Sequence, residues 1–128
     1  MAVISTQNLF NSFLAKFSIG TNSTAKFTAA FLGAYNDALM DLYNARSIET
    51  EPVLLTTLAS ASTLTERYLP IIKVGIRHHL QSEGEWVKGD QRDEYSALNW
   101  KNAIGDAANL LVHAEESSET YTGPWGEQ

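Results

Sequence analysis

The sequence predicts an all-α fold: a small helical bundle with a long helical hairpin, an irregular or short-strand connector and flexible termini. Three observations carry that prediction. Apolar residues recur at steps of three and four in separate stretches, the period of an amphipathic helix. Glycine, proline and clustered threonine and serine punctuate those stretches. The segment LTERYLPIIKVGIRHHL (residues 64–80) is followed by a charged, glycine-marked break and by YSALNWKNAIGDAANLL (95–111), which reads as its return partner. At 128 residues the chain fits one domain, large enough to bury roughly two thirds of the surface its unfolded form exposes.

From Gln7 to Phe17 the residues Leu9, Phe10, Phe13, Leu14 and Phe17 fall at helical spacing, giving a short helix or an arm. Gly20 is placed to cap its C-terminus, and Asn22 or Ser23 to accept the first free amides of the next helix. That second helix, Thr24 to Arg46, sets Phe27, Phe31, Ala34, Tyr35, Ala38, Leu39 and Leu42 on one broad face, with Lys26, Asn36 and Asp37 mainly elsewhere. Ala30, Ala34 and Ala38 allow a neighbouring helix to approach closely.

Between Ile48 and Thr63 the composition shifts to proline, threonine, serine and short aliphatics. Pro52 disfavours helical geometry at Glu51, and Val53, Leu55 and Thr57 alternate as a brief strand or extended segment would. Such an edge either finds its partner on another chain or lies over the core as a surface loop.

Thr63 and Glu66 fit a capping box, and Thr65 is a second candidate cap. Pro70 would displace a backbone hydrogen bond in a helix begun at Thr65, so a short turn from Glu66 to Tyr68 followed by the main helix is expected. Leu69, Ile72, Ile76 and Leu80 form its buried stripe, and Lys73, Arg77 and Gln81 a polar one. The break SEGEWVKGDQRDE contains Gly84 and Gly89, so the chain turns there, and Trp86 within it either folds back over the core or is displayed at an interface. The final helix, Arg92 to Glu115, has Asp90 as a possible cap, Asp93 and Glu94 in its first turn, and Trp100, Ile104, Ala107, Ala108 and Leu111 as its core stripe. The organisation is therefore an N-terminal arm or short helix (1–22), a helical domain (23–115) and a flexible C-terminal tail (116–128) with too little apolar area to fold alone.

Nine basic and fifteen acidic residues leave a formal charge of −6, the wrong sign for gripping phosphate backbones. The absence of cysteine removes thiolate catalysis, disulfides and cysteine zinc sites. The N-terminus has no basic signal-peptide region and no apolar run approaches about 20 residues, so synthesis inside the cell without a membrane span is expected.

A search for chemistry returns little. His78 and His79 are adjacent and so diverge by about 100° around a helix, unlike a metal pair at one-turn spacing; His113 stands alone. Asp37 and Asp41 are one turn apart and read as a solvated face. Phosphate-binding glycine loops and nucleophile elbows are missing. The expectation is a protein without catalytic residues, cofactor or metal.

Taken together, the helix ending ALMDLYNARS, the threonine-rich connector, TERYLPIIKVGIRHHLQ, the charged break and the return helix YSALNWKNAIGDAANLL resemble the head-to-tail connector (neck adaptor) proteins of tailed bacteriophages over about Thr24 to Glu115. The resemblance implies a structural virion protein, made in the host cytoplasm and located in the phage neck. It would form a homo-oligomeric ring, commonly dodecameric, between the portal protein and the next tail or neck protein. The ring would extend a channel through which DNA passes without sequence-specific binding, and no membrane is involved. Under it, Tyr121, Pro124 and Trp125 are candidates for docking on the portal or another partner, and Val53, Leu55 and Trp86 for inter-subunit contact. A small helical interaction module of unrelated origin is the alternative, and an enzyme whose site lacks a motif the third reading.

Overall fold

The computed structural model describes residues 3–49, 51–60, 62–82, 86–87 and 92–120, with 112–120 as backbone alone, and the chain is helical. Helices α1 (Thr6–Lys16), α2 (Thr24–Asn44), α3 (Leu69–Ser82) and α4 (Ser96–Thr120) are joined in that order, with 3-10 turns at Thr21–Ser23 and Glu66–Tyr68. α2 and α3 pack together, and α3 and α4 form the hairpin.

α1 begins where the Ser5 hydroxyl accepts the Asn8 amide at 3.3 Å, one of the donors a helix start leaves unpaired. Its apolar face is buried, so the N-terminal segment is part of the bundle. The Phe10 ring lies 5.7 Å from Phe27 and 5.3 Å from Phe31, and Phe13 lies 6.0 Å from Phe31. Burying each such ring contributes roughly 1.5–3 kcal/mol.

The end of α1 differs from the expectation placed on Gly20. Ser18 adopts the left-handed conformation, at φ 52°. It places the Ile19 amide on the Leu14 carbonyl at 3.1 Å and its own amide on that of Ala15 at 3.3 Å. Gly20 comes later with φ −72°. α2 closes the same way: Arg46 has φ 59°, and the Ser47 amide reaches the Leu42 carbonyl at 2.8 Å. Both ends use the closing motif usually given to glycine. At the start of α2, Ser23 makes no side-chain cap; Thr24 instead donates its hydroxyl to the Gly20 carbonyl at 3.2 Å.

The connector is irregular, and the short-strand alternative does not form. Leu55 nonetheless has a β-like pair of hydrogen bonds, supplied by a side chain: its amide donates to Asn36 Oδ1 at 2.8 Å and its carbonyl accepts from Asn36 Nδ2 at 2.9 Å. One carboxamide on α2 thus does at a single residue what a neighbouring strand would do along a segment. Among the described residues the one β-type pairing is the bridge between Val3 and Thr65, beside the Ile4 amide on the Leu64 carbonyl at 2.9 Å.

The Glu66–Tyr68 turn and the start of α3 at Leu69 match the arrangement expected from Pro70, which occupies the second helical position where no intrahelical donor is needed. Thr65 holds the cap position of that turn without a side-chain hydrogen bond. Ile72, Ile76 and Leu80 are buried as expected, joined by Ile71 and Gly75. Gln81 departs from its expected polar face: it is buried, and its carboxamide accepts the Asp93 amide at 2.9 Å and donates to the Asp93 carbonyl at 2.8 Å. This closes the hairpin where the chain turns into α4.

α4 starts at Ser96, later than expected, because Asp93 stays outside the helix and caps it. The Asp93 carboxylate accepts the Tyr95 amide at 2.9 Å and the Asn99 side chain at 2.6 Å, a local alternative to helical bonding that favours a cap. Trp100, Ala103 and Ala107 are buried, and Ile104, Ala108 and Leu111 half-buried. The helix continues to Thr120, so the first part of the segment expected as a tail is helical. The proposed cap Asp90 and the residues Gly84 and Gly89 lie outside the described residues. Among the described residues no helix is long and apolar enough to cross a membrane.

Candidate functional site

Three helices meet at Asp41. This residue projects from α2 so that Oδ2 accepts from His79 Nε2 of α3 at 2.8 Å and from Trp100 Nε1 of α4 at 2.9 Å. Beside it, His78 Nδ1 is 3.1 Å from Ser96 Oγ, which also accepts from Gln81 Nε2 at 3.4 Å. The two imidazoles lie edge to face, their centroids 5.3 Å apart. Desolvation, then the neighbouring His79, holds His78 below its ordinary pKa, with Asp41 opposing. Asp41, expected on a solvated face, has a side chain 39% exposed and is at the same time the hydrogen-bonding centre of the joint.

The parts of an Asp–His–Ser relay are present here but divided. Such a relay needs one imidazole between carboxylate and hydroxyl. Here the carboxylate is bound to His79 and the hydroxyl to His78, so no ring carries a proton from one to the other. The donors and acceptors hold helices together: the indole of Trp100 fills the space over Gly75, where an added Cβ would lie 2.6 Å from the ring. Among the described residues no group of three His, Cys, Asp or Glu side chains could hold a metal.

The surface depressions offer little further chemistry. One of about 330 Å³ between Phe17, Gly20 and Trp86 contains Lys26, whose ammonium lies 6.0 Å from the centre of the Trp86 ring, at the outer limit of a cation–π contact. A groove of about 190 Å³ between α1 and the start of α3 has Ile4, Leu9 and Leu69 along it, with Glu66 and Lys73 at its rim.

The residues expected to make contacts with other chains separate into three groups. Tyr121, Pro124 and Trp125 lie outside the described residues. Leu55 and Trp86 are corrected: Leu55 is 3% exposed and Trp86 7%. Leu55 is drawn inward by the Asn36 clasp, and Trp86 packs edge-on against Phe27 at 5.1 Å, so both side chains serve the core of their own chain. Val53 is 67% exposed and Leu54 47%, leaving Val53 from the expected set with a side chain available to a partner.

Leu54, Tyr95 and Leu98 were missed as candidates. Tyr95 is 61% exposed and Leu98 53%, the pair standing at the mouth of α4. The signal for Leu98 was present, since it falls off the Trp100, Ile104, Ala107 stripe. The signal for Leu54 was not, because an alternating pattern does not say which side of an extended segment faces the core. Comparison with protein-family models, curated proteins and solved structures matches the chain to none of them.

Proposed function

We propose that the chain is a structural subunit of a tailed-phage neck, a head-to-tail connector adaptor that assembles as a ring between portal and tail and extends the DNA channel. The order of its elements and the resemblance of residues 24–115 to that family support the reading. The observation that carries it is the mounting of Val53 and Leu54. These two exposed apolar side chains sit on the irregular connector, whose next residue is clasped at both peptide groups by Asn36. A segment that displays apolar surface is suited to contact with another protein, whereas the polar groups of the Asp41 joint are engaged with one another between the helices.

The charge of −6 fits the same use. A ring multiplies it by the copy number, and an acidic lumen would let DNA pass without adhering. Tyr121, Pro124 and Trp125 are assigned to docking on the portal, as an aromatic anchor.

The test is negative-stain imaging of the chain alone and co-expressed with the portal protein encoded by the same virus. Closed rings with a central channel, free or seated on the portal, are expected. A chain that stays monomeric and apart from the portal would overturn the reading in favour of an unrelated interaction module. Trp125→Ala should weaken attachment to the portal while leaving the thermal unfolding midpoint unchanged.

A further inference from the structure

The acidic residues of the chain are unevenly placed. None of the fifteen falls in residues 1–36 or in α3, which hold Lys16, Lys26, Lys73 and Arg77. A protein of net charge −6 thus has two helices without a carboxylate side chain, α1 and α3, and they lie side by side.

Both helices run from aligned starts: Val3 bridges Thr65, and the Ile4 amide meets the Leu64 carbonyl at 2.9 Å. The groove of about 190 Å³ lies between them. Buried Ile4 and Leu9 form its floor with half-buried Leu69, while Ser12 and Lys73 stand on its two walls. Residues four apart share a helix face, so the α1 row continues from Ser12 to exposed Lys16 and the α3 row from Lys73 to half-buried Arg77. The cations at this end act on one another: burial, then Arg77 and Lys73, holds the Lys16 ammonium below its ordinary pKa. Glu66 is at the other end, in the turn before α3 begins.

We infer that this groove docks an acidic segment of a partner protein, an apolar side chain of the segment lying over Leu69 and its carboxylates meeting Lys73, Arg77 and Lys16. Charge complementarity selects the sign of the partner. An apolar floor with room for a side chain selects a peptide over a bare anion. A nucleic acid would meet the same cations, but it is a long polyanion that the net charge of the whole chain repels. A short segment lies within the Debye length, about 8 Å at physiological salt, and responds to the local cations. The inference goes beyond the ring reading and does not depend on it.

The probe is a short fluorescein-labelled peptide of glutamates with one leucine at its centre, titrated with the full-length chain and followed by fluorescence anisotropy. It should bind saturably and more weakly as salt is raised, and the same peptide with lysine in place of glutamate should not bind. Lys16→Glu and Lys73→Glu should each weaken binding about tenfold or more, as loss of a charge-assisted contact does. Ser12→Trp fills the groove without changing the charge and should weaken binding as well. Lys101→Glu changes the net charge by the same amount on α4 and should alter binding by less than about twofold. All four positions are exposed, and circular dichroism with thermal unfolding verifies that each variant folds. Amide chemical shifts during the titration should move in α1 and α3 and stay fixed in α4.

An acidic peptide that does not bind, or that binds Lys73→Glu and Ser12→Trp as well as wild type, would overturn the inference. So would equal weakening by Lys101→Glu, which would reduce the effect to net charge. A short DNA duplex that binds more tightly than the peptide, and loses that binding in Lys73→Glu, would assign the face to nucleic acid instead. Self-association of the wild-type chain in sedimentation velocity that disappears in Lys73→Glu would assign it to a second copy, and either result overturns the acidic partner.

Discussion

The contact between α1 and α2 and the joint of α2, α3 and α4 are built on different principles. The first is made of aromatic rings: Phe10, Phe13, Phe27 and Phe31, all 4% exposed or less, stack along one another with tilted or edge-on geometry. No hydrogen bond between described α1 and α2 side chains sets their relation. The second packs Ile72, Ile76 and Leu80 against Leu39, Leu42 and Trp100 as parts of one core, but adds a carboxylate, two imidazoles, a carboxamide and an indole N–H with defined partners. Apolar packing supplies most of the stability of a bundle and tolerates small slides of one helix on another. Directional hydrogen bonds in the joint fix the register of the α3–α4 hairpin against α2.

The comparison breaks most visibly at Phe31. Its ring is fully buried and touches Phe10, Phe13 and Tyr35. Phe31→Ala should cost about 3–5 kcal/mol in urea unfolding at pH 7, the range for truncating a buried aromatic. A loss below about 1 kcal/mol would show that the aromatic side is not what anchors α1.

Next in size is a pair of glycines on the hairpin. An alanine at Gly75 would place its Cβ 2.6 Å from the Trp100 ring, whereas nothing lies within 4 Å of one at Gly105. Gly75→Ala should therefore destabilise by about 1–3 kcal/mol through overpacking. Gly105→Ala should stabilise by roughly 0.5–1 kcal/mol through helix propensity alone. A Gly75→Ala variant as stable as Gly105→Ala in thermal and chemical unfolding would mean that the indole does not sit where the joint requires it.

Asp41 distinguishes directional bonding from packing. Removing the carboxylate in Asp41→Ala leaves the buried Trp100 indole without its acceptor. The expected cost is about 1–2 kcal/mol, in the lower part of the range for an unsatisfied buried donor. The carboxylate side chain is 39% exposed, so water can replace part of what is lost. Asp41→Asn keeps one oxygen and should recover most of the stability. Indole fluorescence and the proton chemical shift of Trp100 Nε1 report the bond directly; an unchanged shift in Asp41→Ala would remove Asp41 from the joint.

The same contrast explains which parts of the fold were legible beforehand. Periodicity located the apolar face of α2 because those seven residues are buried in the apolar core, the Tyr35 hydroxyl alone of their side chains needing a polar partner, Ser62, and Pro70 announced the turn before α3 because the missing N–H acts locally. Gln81 and Asp93 were misplaced and the partners of Asp41 missed because each owes its role to a residue 12 or more positions away or to a competing local bond, and a polar residue at helical spacing looks merely solvated until its partner is known. The left-handed residues Ser18 and Arg46 were invisible for a related reason: their carbonyl-capping geometry was expected of glycine, and Gly20 lay two residues beyond Ser18 while no glycine stands near Arg46. Of the contact residues, Leu55 and Trp86 turned inward because Asn36 and Phe27, both on α2, gave them partners within the chain.

The smallest expected effects are in the pH dependence, where the two regions should fail at opposite ends. In the joint, burial and His79 hold His78 below its ordinary pKa near 6.5, against the pull of Asp41. The folded state thus binds a proton less readily than the unfolded chain. Stability from this group is complete above the unfolded value and falls as pH drops through it toward the folded one. On the aromatic side, burial raises the Tyr35 phenol above its ordinary value near 10, its hydrogen bond with Ser62 opposing. Stability from Tyr35 is complete below the unfolded pKa and falls as pH rises through it toward the folded one. The thermal midpoint of the wild-type chain should therefore decline below about pH 6.5 and again above about pH 10. His78→Gln should flatten the acid decline alone, and Tyr35→Phe the alkaline one alone. Amide exchange should show the acid decline first at the Gln81–Ser96 end of the hairpin, where His78 meets Ser96, while α1 stays protected. If α1 and the hairpin instead open together in acid, the joint and the aromatic contact are one cooperative unit, and the division drawn between them is confined to the native geometry.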